Sequence, residues 1–380
     1  MKPETSSKNT SINILKAGAK KIDSQREYKE RKKSEWYNLR PILGHANWAI
    51  FYLLLGGREV GKSYSVTNFF VDQFVNKGIP FTWLRLTEAA SRKLLQNSAE
   101  KLVDPDLRRK YNLDLVTSGN NVYQVTKRTE PDVNGKTKVL EKKLMARVYA
   151  ISTFYNDKGS IFDKDFLNDP NMRYNIAIDE FQREEGEKNT FDITYSLVNQ
   201  LENLVRSTKE RTKIFFLGNT LEESSDILCA FDFIPESFGI FKLKKKRAVI
   251  HNIEPTEAYK KRRAGTIADI LMPTASTFTN KINTDNTLIT KERLTEPCYI
   301  IKFRKNPDSW FTVWNSNIIK KYNGEKKDVI AMRPYLDSVF NTESQKQIML
   351  LFDTRSFLFR NLITFKQFQK EMSMLKPRGT

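Results

Sequence analysis

Leu53-Leu54-Leu55-Gly56-Gly57-Arg58-Glu59-Val60-Gly61-Lys62-Ser63 decides how the rest of this chain is read. From Gly56 onward it fits G-x-x-x-x-G-K-[ST], a loop whose backbone amides cradle phosphates while its lysine reaches the β/γ-phosphates and its hydroxyl reaches Mg²⁺. Chance supplies the pattern in roughly 1% of chains this long, and the flanks make chance less probable still. The run Trp48 to Leu55 is apolar, as expected of a parallel strand buried on both faces. From Ser63 to Lys77 the apolar residues Val66, Phe69, Phe70 and Phe74 recur at helical spacing, and Gly78 and Pro80 supply stop signals. Strand, loop and helix follow in the order the motif requires. Gly56, Gly57, Arg58, Glu59, Val60, Gly61, Lys62 and Ser63 are therefore the candidate ATP-binding residues.

A second chemical centre lies at Tyr174-Asn175-Ile176-Ala177-Ile178-Asp179-Glu180, a short apolar strand ending in two carboxylates. Beside a phosphate loop, an aspartate at a strand end orients Mg²⁺ through its water shell, and the adjacent glutamate polarises the attacking water. Asp179 is the candidate metal partner with Ser63, and Glu180 the candidate catalytic residue with Lys62. Downstream, Asp192 to Thr208 reads as a helix with Leu197, Leu201, Leu204 and Val205 on one face and Arg206 off it near the end. Lys213 to Leu217 reads as a buried strand ending in Gly218-Asn219. If that strand lies between the loop strand and the carboxylate strand, or next to them, Asn219 sits where a γ-phosphate sensor would; a simple turn is the alternative.

Composition narrows the chemistry. The chain has 380 residues, enough for two domains and a large core without disulfides. Its two cysteines, Cys229 and Cys298, make neither a zinc pattern nor a disulfide framework, which suits a reducing cytosol. With His45 and His251 the only histidines, a metal would be held by oxygen ligands and phosphates, again pointing to Mg²⁺. No stretch reaches the roughly 18 apolar residues of a membrane span. A formal net charge of +19 suits a nucleic-acid partner, because basic surfaces release counterions from phosphate backbones. A solvated, lysine-rich surface is the alternative.

The remaining chain divides by composition. Residues 1–35 read as a basic arm, 36–252 as an α/β P-loop domain with a mainly parallel sheet, 253–286 as a hinge segment and 287–380 as a smaller α+β domain. Within these, Trp36, Tyr37 and Trp48 precede the loop, where a base could stack, although core packing serves them equally well. Phe81 to Leu86 reads as a strand with Arg85 near its carboxyl end, and Glu88 to Leu102 as a helix. Val122 to Ile151 reads as a hairpin around Asn134-Gly135, inserted at the sheet edge. Asn156 to Ser160, with Lys158 inside it and Lys164 nearby, reads as an exposed loop offering basic residues; an ordinary surface loop is the alternative. Thr256 to Arg263 reads as a capped helix. Two late strands, Tyr299 to Phe303 and Trp310 to Trp314, flank a turn at Asn306-Pro307-Asp308, and the tail from Glu343 to Leu375 reads as mostly helical.

The loop Gly56 to Ser63, the strand end Ile178-Asp179-Glu180 and the strand Phe215-Phe216-Leu217-Gly218-Asn219, in this order and spacing, resemble the genome-packaging ATPases of short-tailed, phi29-like phages. The Gly-Gly-Arg opening of the loop is the most distinctive piece. The resemblance covers about Tyr37 to Asn252 by motif and the remainder by layout. It implies an additional-strand P-loop ATPase that translocates double-stranded DNA into a procapsid through its portal, working in the host cytoplasm as a homo-oligomeric ring, a pentamer by family likeness. Whether a structural RNA joins motor to capsid stays open. Each active site would be completed by a neighbouring subunit's arginine, Arg206 first and Arg211 as the alternative; Lys158 and Lys164 would grip DNA. The C-terminal domain would resemble an RNase H-like nuclease without its catalytic acids, since Lys302 and Arg304 stand where a two-metal nuclease carries a carboxylate. The alternatives are another ring-forming P-loop translocase or helicase, a terminase with an active nuclease domain, or a non-enzymatic DNA-binding protein.

Overall fold

The computed structural model describes residues 20–21, 34–131, 135, 137–153, 173–181, 193–205, 211–218, 226–231, 233–235, 237–271, 288–290, 297–303, 306–314, 329–331 and 350–375. The chain forms two compact units, one of residues 1–219 with 231–273, the other of 220–230 with 274–380. In chain order the first unit contains β1 (Lys20–Lys21), α1 (Arg40–His45), β2 (Phe51–Leu55), α2 (Lys62–Lys77), β3 (Phe81–Arg85), α3 (Glu88–Ala99) and α4 (Pro105–Tyr111). These are followed by β4 (Leu115–Ser118), β5 (Asn121–Arg128), β6 (Val139–Ala150), β7 (Tyr174–Asp179), α5 (Ile193–Val205) and β8 (Thr212–Gly218). After α6 (Asp226–Ala230), which belongs to the second unit, come β9 (Gly239–Leu243), β10 (Ala248–Asn252), α7 (Glu257–Arg263) and α8 (Ile267–Leu271).

The ten strands of this unit form one sheet in the order β1-β9-β10-β2-β8-β7-β3-β6-β5-β4. Six consecutive strands, from β10 to β6, run parallel, and antiparallel strands close both sides. Strands buried on both faces need unbroken apolar runs. Tyr52 to Leu55 and Ile176 to Ile178 are accordingly solvent-inaccessible. Phe215 is the centre of one face: it stacks on Tyr52 with centroids 4.8 Å apart and meets Phe70 edge-on at 5.4 Å. That contact seats α2 on the sheet.

Two local expectations shift. The first strand starts at Phe51, because residues 46–48 form a turn held by Ala49 N–H to Ala46 C=O at 2.9 Å. The helix expected to reach Leu102 leaves helical geometry at Gln96, Asn97 and Ser98, and Arg108 holds the break by donating to Ser98 O at 2.7 Å and Val103 O at 3.0 Å. The edge hairpin does form, as β5 and β6 paired antiparallel.

The second unit has a four-stranded sheet in the order β11 (Pro297–Phe303), β12 (Asn306–Trp314), β13 (Val329–Ala331), β14 (Leu358–Phe359), with α9 (Leu362–Leu375) at its end. Ile301, Phe311, Val313, Phe357, Phe359, Phe368 and Met372 form its core. Asn306, Pro307 and Asp308 lie inside β12, where Asn306 already pairs with Phe303, so they are strand and not the expected turn. The tail is likewise interrupted by β14, which pairs parallel with β13. Among the described residues no helix is long and apolar enough to cross a membrane.

Candidate nucleotide site

The site forms where strands end. Leu55 pairs with Gly218, Asp179 with Leu217 and Leu84 with Ile178, so the carboxyl ends of β2, β8, β7 and β3 lie side by side. β8 stands between the loop strand and the carboxylate strand, which meets the condition under which Asn219 would face the site; Asn219 itself lies outside the described residues.

The loop is built by sterics and by capture of its carbonyls. A Cβ on Gly56 would come within 2.9 Å of Ile253 Cβ, so only glycine lets β10's exit segment pass. Gly61 caps α2 with φ of 93°, a left-handed conformation natural to glycine, and its face meets the Trp36 ring. Glu59 and Glu180 also have positive φ, 62° and 53°. Every carbonyl from Gly56 to Val60 accepts a hydrogen bond. Lys62 Nζ donates to Gly56 O at 2.6 Å and Gly57 O at 2.8 Å. Tyr259 Oη donates to Arg58 O at 2.8 Å and Arg262 Nη2 to Glu59 O at 2.7 Å, while the Tyr37 N–H takes Val60 O at 2.9 Å. A loop whose carbonyls are engaged in this way turns its amide dipoles to the other side, the arrangement that binds anions.

Charge converges on the same spot. Lys62 is 5% exposed, and burial pushes its ammonium down to about 8, with Asp179 and then Glu180 pulling the other way. Burial raises the Asp179 carboxyl, an effect that Arg85 opposes and Glu180 reinforces. Arg85 donates from Nη1 to Asp179 Oδ2 at 2.8 Å and from Nη2 to Glu180 Oε2. One guanidinium thus holds both carboxylates. Ser63, second residue of α2, is exposed. Its hydroxyl and the Asp179 carboxylate are the oxygen donors that a hard cation requires.

Of the expected site residues, the structure brings together Gly56 to Ser63, Asp179 and Glu180. Arg211 lies at the amino end of β8, about 20 Å along the strand from Gly218 at ordinary strand rise, too far to serve its own chain's loop. Arg206, Lys158 and Lys164 lie outside the described residues. Sequence reading gave no role to Arg85, Tyr259, Arg262 or Arg263. For Arg85 a signal existed: a cation closing the buried run Phe81 to Leu84 has to find carboxylates at that end of the sheet.

No protein-family model matches the chain. It is 23% identical over 204 residues to the DNA packaging proteins of Bacillus phage phi29 and Bacillus phage PZA. That match covers 54% of this chain and 52% of each relative, so it spans about half the length of these curated relatives. The solved phi29 viral genome packaging motor assembly superposes with TM-score 0.57 at 18% identity, covering 89% of this chain and all of that one (100%). The Phi-28 DNA packaging motor superposes with TM-score 0.55 at 15% identity, covering 91% of this chain and 99% of that one. In sequence the chain resembles the DNA packaging proteins of phi29-like phages, and its fold is that of the solved phi29-type packaging motors.

Proposed function

We propose that this protein is an Mg²⁺-dependent ATPase whose hydrolysis drives double-stranded DNA through a phage portal into a procapsid. The observation that carries the reading is the convergence of Lys62, Asp179 and Glu180 at the carboxyl ends of β2 and β7, with one strand between them. Lys62 and the loop amides bind the β- and γ-phosphates. Ser63 would hold Mg²⁺ directly and Asp179 through water, and the ion, when bound, supplies charge neutralisation on the phosphates. Among the described residues no three His, Cys, Asp or Glu side chains gather into a metal-binding group, so the nucleotide's own oxygens would complete the coordination.

Glu180 polarises the attacking water. Arg85 occupies Glu180 Oε2 in this arrangement, so Glu180 has to exchange the guanidinium for water before it acts. Arg85 therefore keeps the carboxylate idle until then. Arg206, or Arg211, supplied by a neighbouring subunit would stabilise charge on the transferring phosphoryl group, and Asn219 would sense it. Support for a homo-oligomeric ring, five-membered by likeness, comes from α5: Tyr195 is 62% and Val198 52% exposed, one turn apart on the helix that leads to Arg206. Lys158 and Lys164 would contact the phosphate backbone without reading sequence. A portal-bearing procapsid is the docking partner, with a structural RNA as a further candidate. The second unit is a non-cleaving, nucleic-acid-binding domain in this reading.

The test is ATP hydrolysis with and without double-stranded DNA, run on the wild type, Lys62→Ala, Glu180→Gln, and a mixture of Lys62→Ala with Arg206→Ala. DNA should raise turnover, both site variants should abolish it, and mixing should restore part of it. Turnover indifferent to DNA and to Glu180→Gln, on free protein and on portal-bearing particles alike, ends the motor reading.

A further inference from the structure

Lys77, Lys142, Lys143, Arg173, Lys244 and Lys245 are exposed cations scattered through the sequence of the first unit, and the fold brings them to one edge of its sheet. Strand pairing fixes where they stand. Ala248, Phe51, Ile214, Ile176, Thr82 and Arg147 form a single row across β10, β2, β8, β7, β3 and β6, the six parallel strands. Each cation precedes its own strand's member of that row by no more than five residues. All therefore lie at the amino ends of the strands, opposite the nucleotide site. We propose that this edge is a docking surface for the phosphate backbone of double-stranded DNA, an inference that rests on the DNA-translocase reading above and says where the duplex lies.

The edge carries one sign of charge. Among the described residues, no aspartate or glutamate stands within the five positions before the row on any of these strands, and none of the named cations pairs with a carboxylate. Glu141, one position further out on β6, is registered against Lys127 of β5. β8 adds Arg211 and Lys213, both half-buried. Burial first, and then the charge of Arg173, pushes the Lys213 ammonium down to about 8, a sign of how closely these cations crowd. Crowded like charges repel in the free protein, and a polyanion lying across them removes that repulsion. Placement at an α-helix end accounts for Lys77, the last residue of α2, but the other five lie outside α-helices.

Length and chemistry both suit a duplex. Five steps from β10 to β6 at about 4.8 Å each make the edge about 24 Å long, the rise of about seven base pairs. None of the large apolar side chains that stand exposed among the described residues falls in these flanks. A protein partner would need such anchors at the centre of its interface. Lysines and arginines hold phosphates at any base sequence, as a translocase requires. Lys143 shows how the edge is kept in place. A Cβ on Gly78 would come within 2.8 Å of Lys143 Nζ, so the glycine that caps α2 leaves the room in which this ammonium sits.

The experiment is fluorescence anisotropy of a short labelled DNA duplex with the full chain over a range of salt concentrations, with and without Mg²⁺-ATP. Wild type is compared with the alanine pairs Lys244→Ala/Lys245→Ala and Lys77→Ala/Lys143→Ala, the arginine pair Lys244→Arg/Lys245→Arg, and Lys158→Ala/Lys164→Ala. Each alanine pair at the edge should flatten the slope of log affinity against log salt by about two, since one phosphate contact is worth about 0.9. The arginine pair should keep the wild-type slope, and ATP binding should be unchanged in every edge variant. Because the slope counts contacts, basic segments elsewhere raise the wild-type value without hiding the difference. A wild-type slope in both alanine pairs overturns the edge, as does a loss confined to Lys158→Ala/Lys164→Ala. Tighter binding of an RNA duplex of the same sequence, or edge variants that alter only the sedimentation of the protein, overturns the DNA assignment in favour of RNA or of a second copy of the chain. Failure of wild type to bind DNA in every condition ends the DNA reading beneath it.

Discussion

Raising the pH from 7.5 to 9 should weaken ATP binding about eightfold, and Lys62 is the reason. Its ammonium titrates at about 8 because the side chain is buried. At that value the charged fraction is ~0.76 at pH 7.5 and ~0.09 at pH 9, and the apparent dissociation constant rises by their ratio. Stability moves the other way. An unfolded lysine keeps its ordinary value of 10.5, so between pH 8 and 10.5 the unfolded chain binds more protons than the folded one. Wild-type stability therefore rises with pH across that window, by up to about 3 kcal/mol from this group. Lys213, also lowered to about 8 by burial, adds a rise of its own. The informative quantity is consequently the difference between wild type and Lys62→Met, which should lose only the Lys62 share. Calorimetric titration with ATP reads the first effect, and urea unfolding at several pH values reads the second. A dissociation constant that stays flat to pH 9, with stability curves for the two proteins that remain parallel, refutes the reasoning.

Two further outcomes follow from the packing. Gly56→Ala drives a methyl against Ile253 Cβ at 2.9 Å and should cost about 1–3 kcal/mol; Ile253→Ala in the same chain should recover part of it in thermal melts, and no recovery would show that the loss arises elsewhere. Arg85→Ala leaves Asp179 and Glu180 side by side without their shared cation, which should destabilise the fold by about 2–3 kcal/mol, less than for a wholly buried pair because Glu180 is half exposed. Unchanged urea stability in that variant would mean that the guanidinium contributes nothing to the folded state.

The strand-loop-helix at Gly56 to Ser63 was legible from the chain alone because its requirements are local. Glycines at Gly56 and Gly61, a lysine and a hydroxyl at the start of a helix, and an apolar strand before them all fall within some fifteen neighbouring residues. The paired carboxylates were legible for the same reason, as an acidic stop to an apolar run. Alternation and helical period also located the edge hairpin, α5 and the capped helix α7, whose Thr256 side chain accepts from the Tyr259 N–H at 3.1 Å. Where local signals misled, a tertiary contact won. Gln96 to Ser98 leave the helix with Arg108 bonded across the break, and Asn306 to Asp308 are drawn into a strand by pairing with β11.

What the sequence by itself determined, then, is what a few consecutive residues can specify: a glycine loop ending in Lys62-Ser63 at a helix start, an Asp-Glu strand end and an excess of positive charge. Tertiary structure alone decided which strands meet. It placed β8 between β2 and β7, brought Arg85 to carboxylates 94 and 95 residues away, and laid α7 against a loop about 200 residues earlier through bonds of separation 201 and 203. The physical reason is that strand order and helix docking follow from burying apolar faces over the whole domain. No short window records which polar ends are thereby brought together.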